Sequence, residues 1–416
     1  MNEHKKNNSS GFIWNMVGAG IVACQASILM IFAARFYNQE TSGIISIAYA
    51  IAVLTFTISR YGVRNYQVAD INEEFSYEQY LKSRCVTIFV TLVGTVIYLF
   101  TFCLVGKYSL DKAIIILEVV FLRMVNSLED VYLGRYQQKG FFSVGARIMA
   151  IREILILLVM SILMFNRFSL VYVFGVGVII SIVIEIALIN YNYSKLLIER
   201  KNIKHDIKIR YILYECFPLC VGSSLAVYIS NIPKYITDWY LDEYAQAIVG
   251  YLILPVFVVS LLSQFIYTPF VKELVDMNAK KKEYFYFEVL KQVGVIVIIS
   301  MVVLFFTIFV GLSVLSGIYN IDLTSYKMEF CILLLGGTFY ALGYYMTIPI
   351  TIIKKQRIIA VVYSVSILVA TVLQKRMVLY HGIVGVSLLY FIVNMMVSMF
   401  FLIVFVKSNR ERTTMK

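Results

Sequence analysis

Long runs of apolar residues alternate with short polar connections along the whole chain. A hydrocarbon core about 30 Å thick requires roughly 20 apolar residues per helical span, and each run is about that long. The pattern predicts an all-α polytopic membrane protein. Its twelve predicted transmembrane helices lie at residues 11–34, 42–62, 84–106, 112–132, 143–166, 168–190, 211–232, 246–268, 292–316, 328–350, 358–379 and 382–406.

The connection at residues 191–210 is long and strongly basic, and it separates six predicted spans from six. We therefore predict an N-terminal six-helix bundle in residues 1–200 and a C-terminal six-helix bundle in residues 201–416, around a central cavity. Paired bundles of this kind hold substrates near the bilayer midplane in several transporter folds. Residues 1–10 are polar, and no cleavage pattern follows them, so we expect the first apolar run to remain as a span.

Charge settles the expected orientation. The chain is 60% hydrophobic and 15% charged, with a net charge of +12. Most lysines and arginines fall on alternate connections, on the side of the N-terminus; Arg60, Arg64, Lys82 and Arg84 are among them. The positive-inside rule predicts an inner-membrane protein with both termini in the cytoplasm. The net charge is thus a topology signal, and no nucleic-acid partner is predicted.

The chain offers little for chemistry outside the bilayer. Its six cysteines lie in or beside apolar runs, and Cys216 and Cys220, one helical turn apart, have no histidine near them in sequence. Packed thiols are expected there, without a metal or a disulfide framework. No phosphate-binding glycine loop and no nucleophile arrangement is recognisable. We predict no catalytic residue, metal or cofactor, and therefore no enzyme.

Ionisable residues inside spans are costly and are functional candidates by default. Arg123 and Arg152 lie roughly 16 and 14 Å along their spans, from the ~1.5 Å rise per residue. Arginine recognises phosphate with a planar donor fork, so we predict that both bind an anionic substrate. Alternatively, Arg152 pairs with Glu118 or Glu153 to hold the N-terminal bundle together. Arg147 lies near the cytoplasmic interface, where it could equally extend into the headgroup region.

Polar stripes on two spans suggest walls of a cavity or seams between helices. In the fourth span, Ser127 and Gln137 share a face with several polar residues; in the seventh, Ser224, Tyr235 and Asp238 recur at helical spacing. Together with a glutamine of the first span and a lysine of the seventh, the cavity candidates are Gln25, Asn126, Asp130, Tyr228, Asn231 and Lys234.

Several segments resemble one group of membrane proteins. The stretch from Asn15 to Arg35, followed by Glu40-Thr-Ser-Gly43, resembles the start of polysaccharide-type flippases. So does Gly134-Arg-Tyr-Gln-Gln-Lys-Gly140. Further similarity lies in Phe217-Pro-Leu, Asn231-Ile-Pro-Lys-Tyr235 and Tyr251-Leu-Ile-Leu-Pro255. The chain is similar over nearly its whole length to Wzx-type O-antigen flippases of the multidrug/oligosaccharidyl-lipid/polysaccharide superfamily.

The resemblance implies alternating access, in which an undecaprenyl-pyrophosphate-linked oligosaccharide moves from the cytoplasmic to the periplasmic leaflet with proton or sodium coupling. Arg123 and Arg152 would attract the pyrophosphate, and Arg147 would guide it in from the inside. The implied partners are the lipid-linked substrate, membrane lipids, an O-antigen polymerase and a chain-length regulator. The residues that could carry coupling protons are Glu118, Glu153 and Glu185.

Two other functions are compatible with the sequence. A multidrug or cation exporter of the same superfamily would require a deep acidic site, whereas the deep residues here are biased towards arginine. An O-antigen polymerase-type membrane enzyme would carry a large outer loop, and the predicted outer loops are short.

Overall fold

The computed structural model of the chain describes residues 2–70, 72–196, 206–280 and 282–414, and these residues contain no β-strand. Part of the basic connection at 191–210 lies outside them. The helices are α1 (Asn2–Phe36), α2 (Gln39–Arg60), α3 (Val63–Ala69), α4 (Tyr77–Leu104), α5 (Leu110–Gln138), α6 (Phe142–Phe165), α7 (Leu170–Tyr191), α8 (Asp206–Tyr240), α9 (Glu243–Tyr267), α10 (Val271–Lys280), α11 (Lys282–Phe306), α12 (Leu312–Tyr319), α13 (Lys327–Ile352) and α14 (Arg357–Thr414).

Ten described helical segments are long and apolar enough to cross a membrane. One of them, Arg357–Ser408, is 52 residues long, about twice the length of a span. It is interrupted at Gly382, whose φ of 53° and ψ of −131° suit only glycine, so it comprises two helices. α5 is excluded from the ten by its charged residues. The predicted all-α membrane fold is confirmed, and twelve spans are consistent with it.

Some boundaries differ from the apolar runs for local reasons. α4 begins seven residues before the predicted span, because Ser76 and Gln79 form a reciprocal capping box at its start. The predicted span 292–316 consists of α11, a π-helical turn at Thr307–Gly311 and then α12. These differences lengthen or interrupt predicted helices without changing their order.

α4 shows polarity opposite to that of a helix on a water-soluble protein. Phe89, Ile97 and Phe100 are more than 60% exposed, whereas Thr87 and Thr91 are buried. The threonine hydroxyls donate to backbone carbonyls, as from Thr91 Oγ1 to the Thr87 oxygen at 2.7 Å. An apolar outer face with satisfied polar groups inside is what a lipid environment requires.

The chain forms two compact units, residues 1–224 and 225–416. In the N-terminal unit, α5 packs on α2, α4, α6 and α7, and α1 packs along α6. A Cβ on Gly18 would lie 3.2 Å from the Ala150 Cα, so glycine permits that close approach. In the C-terminal unit, α13 packs on α9, α11 and α14. α5 and α13 are therefore the central helices of their units.

Candidate functional site

Buried charge is concentrated in the N-terminal unit. Among the side chains that the structure describes, the C-terminal unit buries one charged residue, Asp238. This agrees with the arginine bias of the fourth and fifth predicted spans. The buried charged residues of the N-terminal unit are Arg84, Lys112, Arg123, Glu129, Asp130, Arg135, Arg152, Glu153 and Glu185.

Two neighbouring acidic residues of α5 organise most of these charges. Successive residues of an α-helix point about 100° apart, so Glu129 and Asp130 face different sides of α5. Asp130 binds three arginines, and we name Asp130, Arg60, Arg64 and Arg84 the arginine cluster. Glu129 binds an arginine that contacts two further glutamates, and we name Arg152, Glu129, Glu153 and Glu185 the carboxylate cluster.

In the arginine cluster, three helices supply guanidinium groups to one carboxylate. Arg60 ends α2, Arg64 lies on α3 and Arg84 on α4. Asp130 Oδ1 lies 3.2 Å from Arg60 Nη2 and 3.2 Å from Arg64 Nη1. Asp130 Oδ2 lies 3.0 Å from Arg84 Nη2. One aspartate thus links α2, α3 and α4 to α5.

The arginine cluster holds three positive charges against one negative charge, because arginine keeps its proton in proteins. Arg84 is completely buried and donates from Nη1 to the Ser59 carbonyl oxygen at 2.8 Å. The side chains of Arg60 and Arg64 are 40% and 20% exposed. Their contacts within the described part of the chain leave some of their five N–H donors for a second anion.

Arg84, counted among the basic residues at the start of the predicted span 84–106, is completely buried in the structure. It lies inside α4, and Asp130 supplies the partner that makes complete burial of a guanidinium tolerable. Sequence reasoning singled out Asp130 as a cavity candidate but did not connect it with any arginine. The sequence shows several basic residues beside this predicted span, but it does not show which of them is buried against another helix.

In the carboxylate cluster, three carboxyl groups surround one completely buried guanidinium. Arg152 Nη2 lies 2.6 Å from Glu129 Oε2 and 3.0 Å from Glu153 Oε1, and Arg152 Nε lies 3.4 Å from Glu185 Oε2. The four side chains are at most 5% exposed. This arrangement joins α5, α6 and α7 at the level of Arg152.

Two neutral side chains complete the carboxylate cluster. Arg152 Nη1 donates to Ser181 Oγ at 3.0 Å and to Asn126 Oδ1 at 3.3 Å, while Asn126 Nδ2 donates to Glu153 Oε1 at 2.7 Å. The structure therefore brings together the predicted residues Asn126, Arg152, Glu153 and Glu185. Glu129 escaped the sequence reasoning, although it lies three residues after Asn126 and so continues the polar stripe of α5.

Arg123 is buried in a different environment. Its Nη2 donates to the Val22 carbonyl oxygen of α1 at 3.3 Å, and its guanidinium carbon lies 5.4 Å from the centroid of the Tyr49 ring. No carboxylate lies within salt-bridge distance among the described residues. Arg123 is therefore a buried cation held by a carbonyl dipole and an aromatic face.

The remaining candidates of the N-terminal unit lie apart from both clusters. Glu118 faces Gly175 of α7, and its buried Oε2 has no hydrogen-bond partner among the described residues. Gln25 is buried on α1, whereas Arg147 is exposed on α6. Arg152 does not form an ion pair with Glu118, but it does with Glu153.

The candidates of the C-terminal unit lie on α8. Tyr228 stacks on Tyr235 with ring centroids 5.1 Å apart. Asn231 Nδ2 donates to the Val227 carbonyl oxygen at 3.1 Å within the same helix, and Lys234 is partly buried. Within the described part of the chain, no ion pair joins these residues to a network like those of α5, and their assignment stays a prediction.

The segment Gly134–Gly140 fixes the connection between α3 and α4. Glu73 lies 3.1 Å from Arg135 Nη1 and 2.6 Å from Lys139 Nζ. Partial burial acts to raise the pKa of Glu73, but the hydrogen bonds from Lys139 and Arg135 outweigh it and lower the pKa. Gln138 Nε2 also donates to the carbonyl oxygens of Gln67 and Asp70. This segment therefore has a structural role beside the arginine cluster.

Comparisons with known proteins agree with this architecture. Residues 9–274 match a family model described as polysaccharide biosynthesis protein. No curated protein sequence matches the chain. The fold is similar to that of an inward-facing multidrug resistance MATE family transporter of the MOP superfamily (TM-score 0.72, 11% identity, covering 96% of this chain and 98% of that one).

Two further solved structures share the fold. The lipid II flippase MurJ, in an inward closed conformation, has a TM-score of 0.66 and 14% identity, covering 95% of this chain and 86% of that one. The Vibrio cholerae MATE transporter VcmN has a TM-score of 0.61 and 11% identity, covering 99% of both chains. At these identities the likeness shows the fold, which is that of multi-pass membrane transporters.

Proposed function

The chain belongs to the family of polysaccharide biosynthesis proteins, and from that premise we propose that it is a lipid-linked oligosaccharide flippase. It moves an undecaprenyl-pyrophosphate-linked unit, such as an O-antigen repeat, from the cytoplasmic to the periplasmic leaflet by alternating access. Its location is the bacterial inner membrane, with both termini cytoplasmic. The structural similarity to MurJ supports a flippase of this general kind.

The observation that carries this proposal is the charge excess of the arginine cluster. Three guanidinium groups share one carboxylate, which leaves two positive charges, and Arg60 and Arg64 are partly exposed. A pyrophosphate esterified at both ends has one ionised oxygen on each phosphorus, and hence two negative charges. Guanidinium groups bind such oxygens through paired, charge-assisted hydrogen bonds. The cluster therefore suits a lipid linked through a pyrophosphate better than one linked through a single phosphodiester, which carries one negative charge.

Arg123 supplies a second, deeper positive charge, since a carbonyl and an aromatic face hold it without neutralising it. Arg152 is outnumbered by its carboxylates, so its geometry favours the structural ion-pair alternative. Within this proposal, Arg60 and Arg64 receive the pyrophosphate and Arg123 attracts it inward. Arg147 remains a candidate for guiding access, while Tyr228, Asn231 and Lys234 remain candidates for the sugar portion.

Ligand-induced thermal stabilisation of the purified protein tests this function. We expect undecaprenyl pyrophosphate to raise the melting temperature more than undecaprenyl monophosphate. A ligand at free concentration L that binds only the native state stabilises it by RT ln(1 + L/Kd), so at equal concentration the lipid that binds more tightly gives the larger shift. The double variant Arg60→Gln/Arg64→Gln should lose about tenfold or more in affinity, because each hydrogen bond to a charged group contributes about 1.5–3 kcal/mol.

Lys82→Gln is the matched control, because Lys82 is an exposed cation on the first turns of α4. It should bind like the wild type, and Arg60→Lys should retain part of the affinity. The proposal is wrong if the two lipids stabilise the protein equally, or if the double variant binds undecaprenyl pyrophosphate normally. A cell lacking its own flippase then tests whether the same double variant fails to restore surface polysaccharide.

A second candidate function is export of organic cations. The carboxylate cluster favours it, since three buried carboxyl groups face one arginine, and MATE transporters share the fold. Efflux of a lipophilic cation from cells that express the chain distinguishes the two functions. Efflux that is lost in Glu185→Gln but unchanged in Arg60→Gln/Arg64→Gln would favour the exporter.

A further inference from the structure

The carboxylate cluster has an unusual charge balance for a closed site in a membrane protein. If all its carboxyl groups were ionised, three negative charges would face the single positive charge of Arg152. The four side chains are at most 5% exposed, so solvent cannot screen the excess. Buried carboxyl groups in this situation bind protons, because neutralisation costs less than an unpaired buried charge.

The hydrogen bonds indicate which carboxyl groups are ionised. Glu153 Oε1 accepts from Asn126 Nδ2 and from Arg152 Nη2, as an ionised carboxylate would. Glu129 Oε2 accepts from Arg152 Nη2 at 2.6 Å, but Glu129 Oε1 has no donor among the described residues. Both oxygens of Glu185 are likewise buried without a donor, and Arg152 Nε is 3.4 Å away. The buried carboxyl oxygens of this cluster that lack a hydrogen-bond donor among the described residues therefore belong to Glu129 and Glu185.

Both carboxyl groups contact the Arg152 guanidinium, with Glu129 Oε2 2.6 Å from Nη2 and Glu185 Oε2 3.4 Å from Nε, and this places them within reach of a hydrogen bond to each other. Two carboxyl groups can be joined in this way only when one of them carries a proton, because ionised carboxylates have no donor. We propose that Glu129 and Glu185 share one proton and form the proton-binding site of this transporter; its role in coupling rests on the proposed function.

The surrounding groups are consistent with one proton. Arg123 and Tyr49 lie on the side of Glu153, and Tyr49 is close to both. Tyr132 and Tyr136 of α5 lie on the side of Glu185. One bound proton lowers the excess of negative charge around Arg152 from two to one. Asp130 faces the arginine cluster and does not enter this balance.

The position of the proton suggests what its release would do. Glu129 lies on α5 and Glu185 on α7, so the shared proton joins these two helices. Its loss would place two negative charges next to each other in a site closed to water, and they would repel. Proton release would thus weaken the contact between α5 and α7 in the N-terminal unit. Proton exchange could then bias the conformations that alternate during transport.

Infrared difference spectroscopy of the purified protein, without substrate, tests the site directly. Raising the pH should remove a protonated-carboxyl C=O signal from the wild type. We expect this signal to be lost in Glu185→Gln, because glutamine removes one of the two carboxyl groups that share the proton and leaves Glu129 beside Arg152. Glu78→Gln, at an exposed position on α4, should retain it. The site is disproved if Glu185→Gln and Glu129→Gln both keep the signal, or if only Glu118→Gln removes it.

The pH dependence of unfolding provides a second readout. A native state that holds a proton released on unfolding loses stability as the pH rises. Wild-type melting temperature should therefore fall as the pH rises from the ordinary glutamate pKa of about 4.3 to the pH at which the infrared signal disappears, and level off above it. Glu185→Gln should show a shallower decline over that range, while Glu78→Gln should follow the wild type. An identical slope in wild type and Glu185→Gln would contradict the shared proton.

A transport assay distinguishes a failure of the proposed proton site from a failure of the proposed flippase function. In proteoliposomes, a pH gradient should stimulate wild-type flipping of the pyrophosphate-linked lipid, and Glu185→Gln should lose that stimulation while still binding the lipid. Stimulation that persists in Glu185→Gln would overturn the coupling role. Should the wild type fail to flip this lipid at all, the proposed function fails, whereas the infrared and unfolding results still decide the proton site.

Discussion

The arginine cluster and the carboxylate cluster have inverse compositions. In the first, three arginines surround one aspartate; in the second, three glutamates surround one arginine. They also differ in exposure, because Arg60 and Arg64 reach the surface while every member of the carboxylate cluster is buried. Arginine keeps its charge in proteins, whereas a carboxyl group can take up a proton. The positive excess of the arginine cluster can therefore be balanced only by an added anion, whereas the negative excess of the carboxylate cluster can be removed by protonation.

α5 places these two opposite sites next to each other. Glu129 and Asp130 are adjacent in the chain, and the turn of the helix directs one towards α6 and α7 and the other towards α2, α3 and α4. Anion binding at one face and proton binding at the other would therefore act on the same helix. This connection is a physical route by which the two proposed events could influence each other.

The largest effect in this comparison is expected from Arg152→Ala. It leaves three buried carboxyl groups without their cation, and breaking a buried ion pair on one side costs about 3–5 kcal/mol of unfolding free energy. Thermal unfolding of the purified protein in one detergent measures it. Arg147→Ala, at an exposed position on the same helix, should change stability little. Equal losses in both variants would mean that the carboxylate cluster does not stabilise the unit.

Asp130→Asn is expected to lower the unfolding free energy less than Arg152→Ala does. It should also strengthen lipid binding, whereas Arg60→Gln/Arg64→Gln should weaken it. The Asp130→Asn substitution should cost about 3 kcal/mol, at the low end of the range for a broken buried ion pair, because Arg84 loses its buried carboxylate while water compensates the partly exposed Arg60 and Arg64. It raises the positive excess, so added undecaprenyl pyrophosphate should stabilise this variant more than it stabilises the wild type. Asp111→Asn, at an exposed position on α5, is the control. If undecaprenyl pyrophosphate stabilises Asp130→Asn less than it stabilises the wild type, then Asp130 does not compete with the lipid for the arginines.

The smallest effects on stability are expected from two serines, each of which contacts an arginine of one cluster. Ser181→Ala removes an acceptor of the Arg152 guanidinium and should cost about 1.5 kcal/mol. Ser127→Ala removes a bond with the Ser59 hydroxyl at 2.8 Å and a longer one to Arg84 at 3.4 Å, so about 0.5–1 kcal/mol is expected. Chemical unfolding of the two variants measures the difference. A larger loss of unfolding free energy in Ser127→Ala than in Ser181→Ala would mean that hydrogen bonds contribute more to stability in the arginine cluster than in the carboxylate cluster.

The sequence by itself determined the helical fold, the order of the spans and the half of the chain that buries charge. The signals were apolar runs of bilayer length and arginines that no loop could accommodate, both of which follow from the cost of polar groups in hydrocarbon. The sequence also placed Asn126, Asp130, Arg152, Glu153 and Glu185 among the candidates, and the structure divides them between two networks that meet on α5.

Only the tertiary structure decided which charges meet. Arg84 is 46 residues from Asp130 in the chain, and Glu185 is more than 30 residues from Arg152, so no local spacing connects either pair. Polar residues around a span appear alike in sequence whether they face lipid headgroups, water or a buried partner. The difference is set by the packing of α2, α4, α6 and α7 around α5, which converts an apparent surplus of arginine into one open cationic site and one closed acidic site.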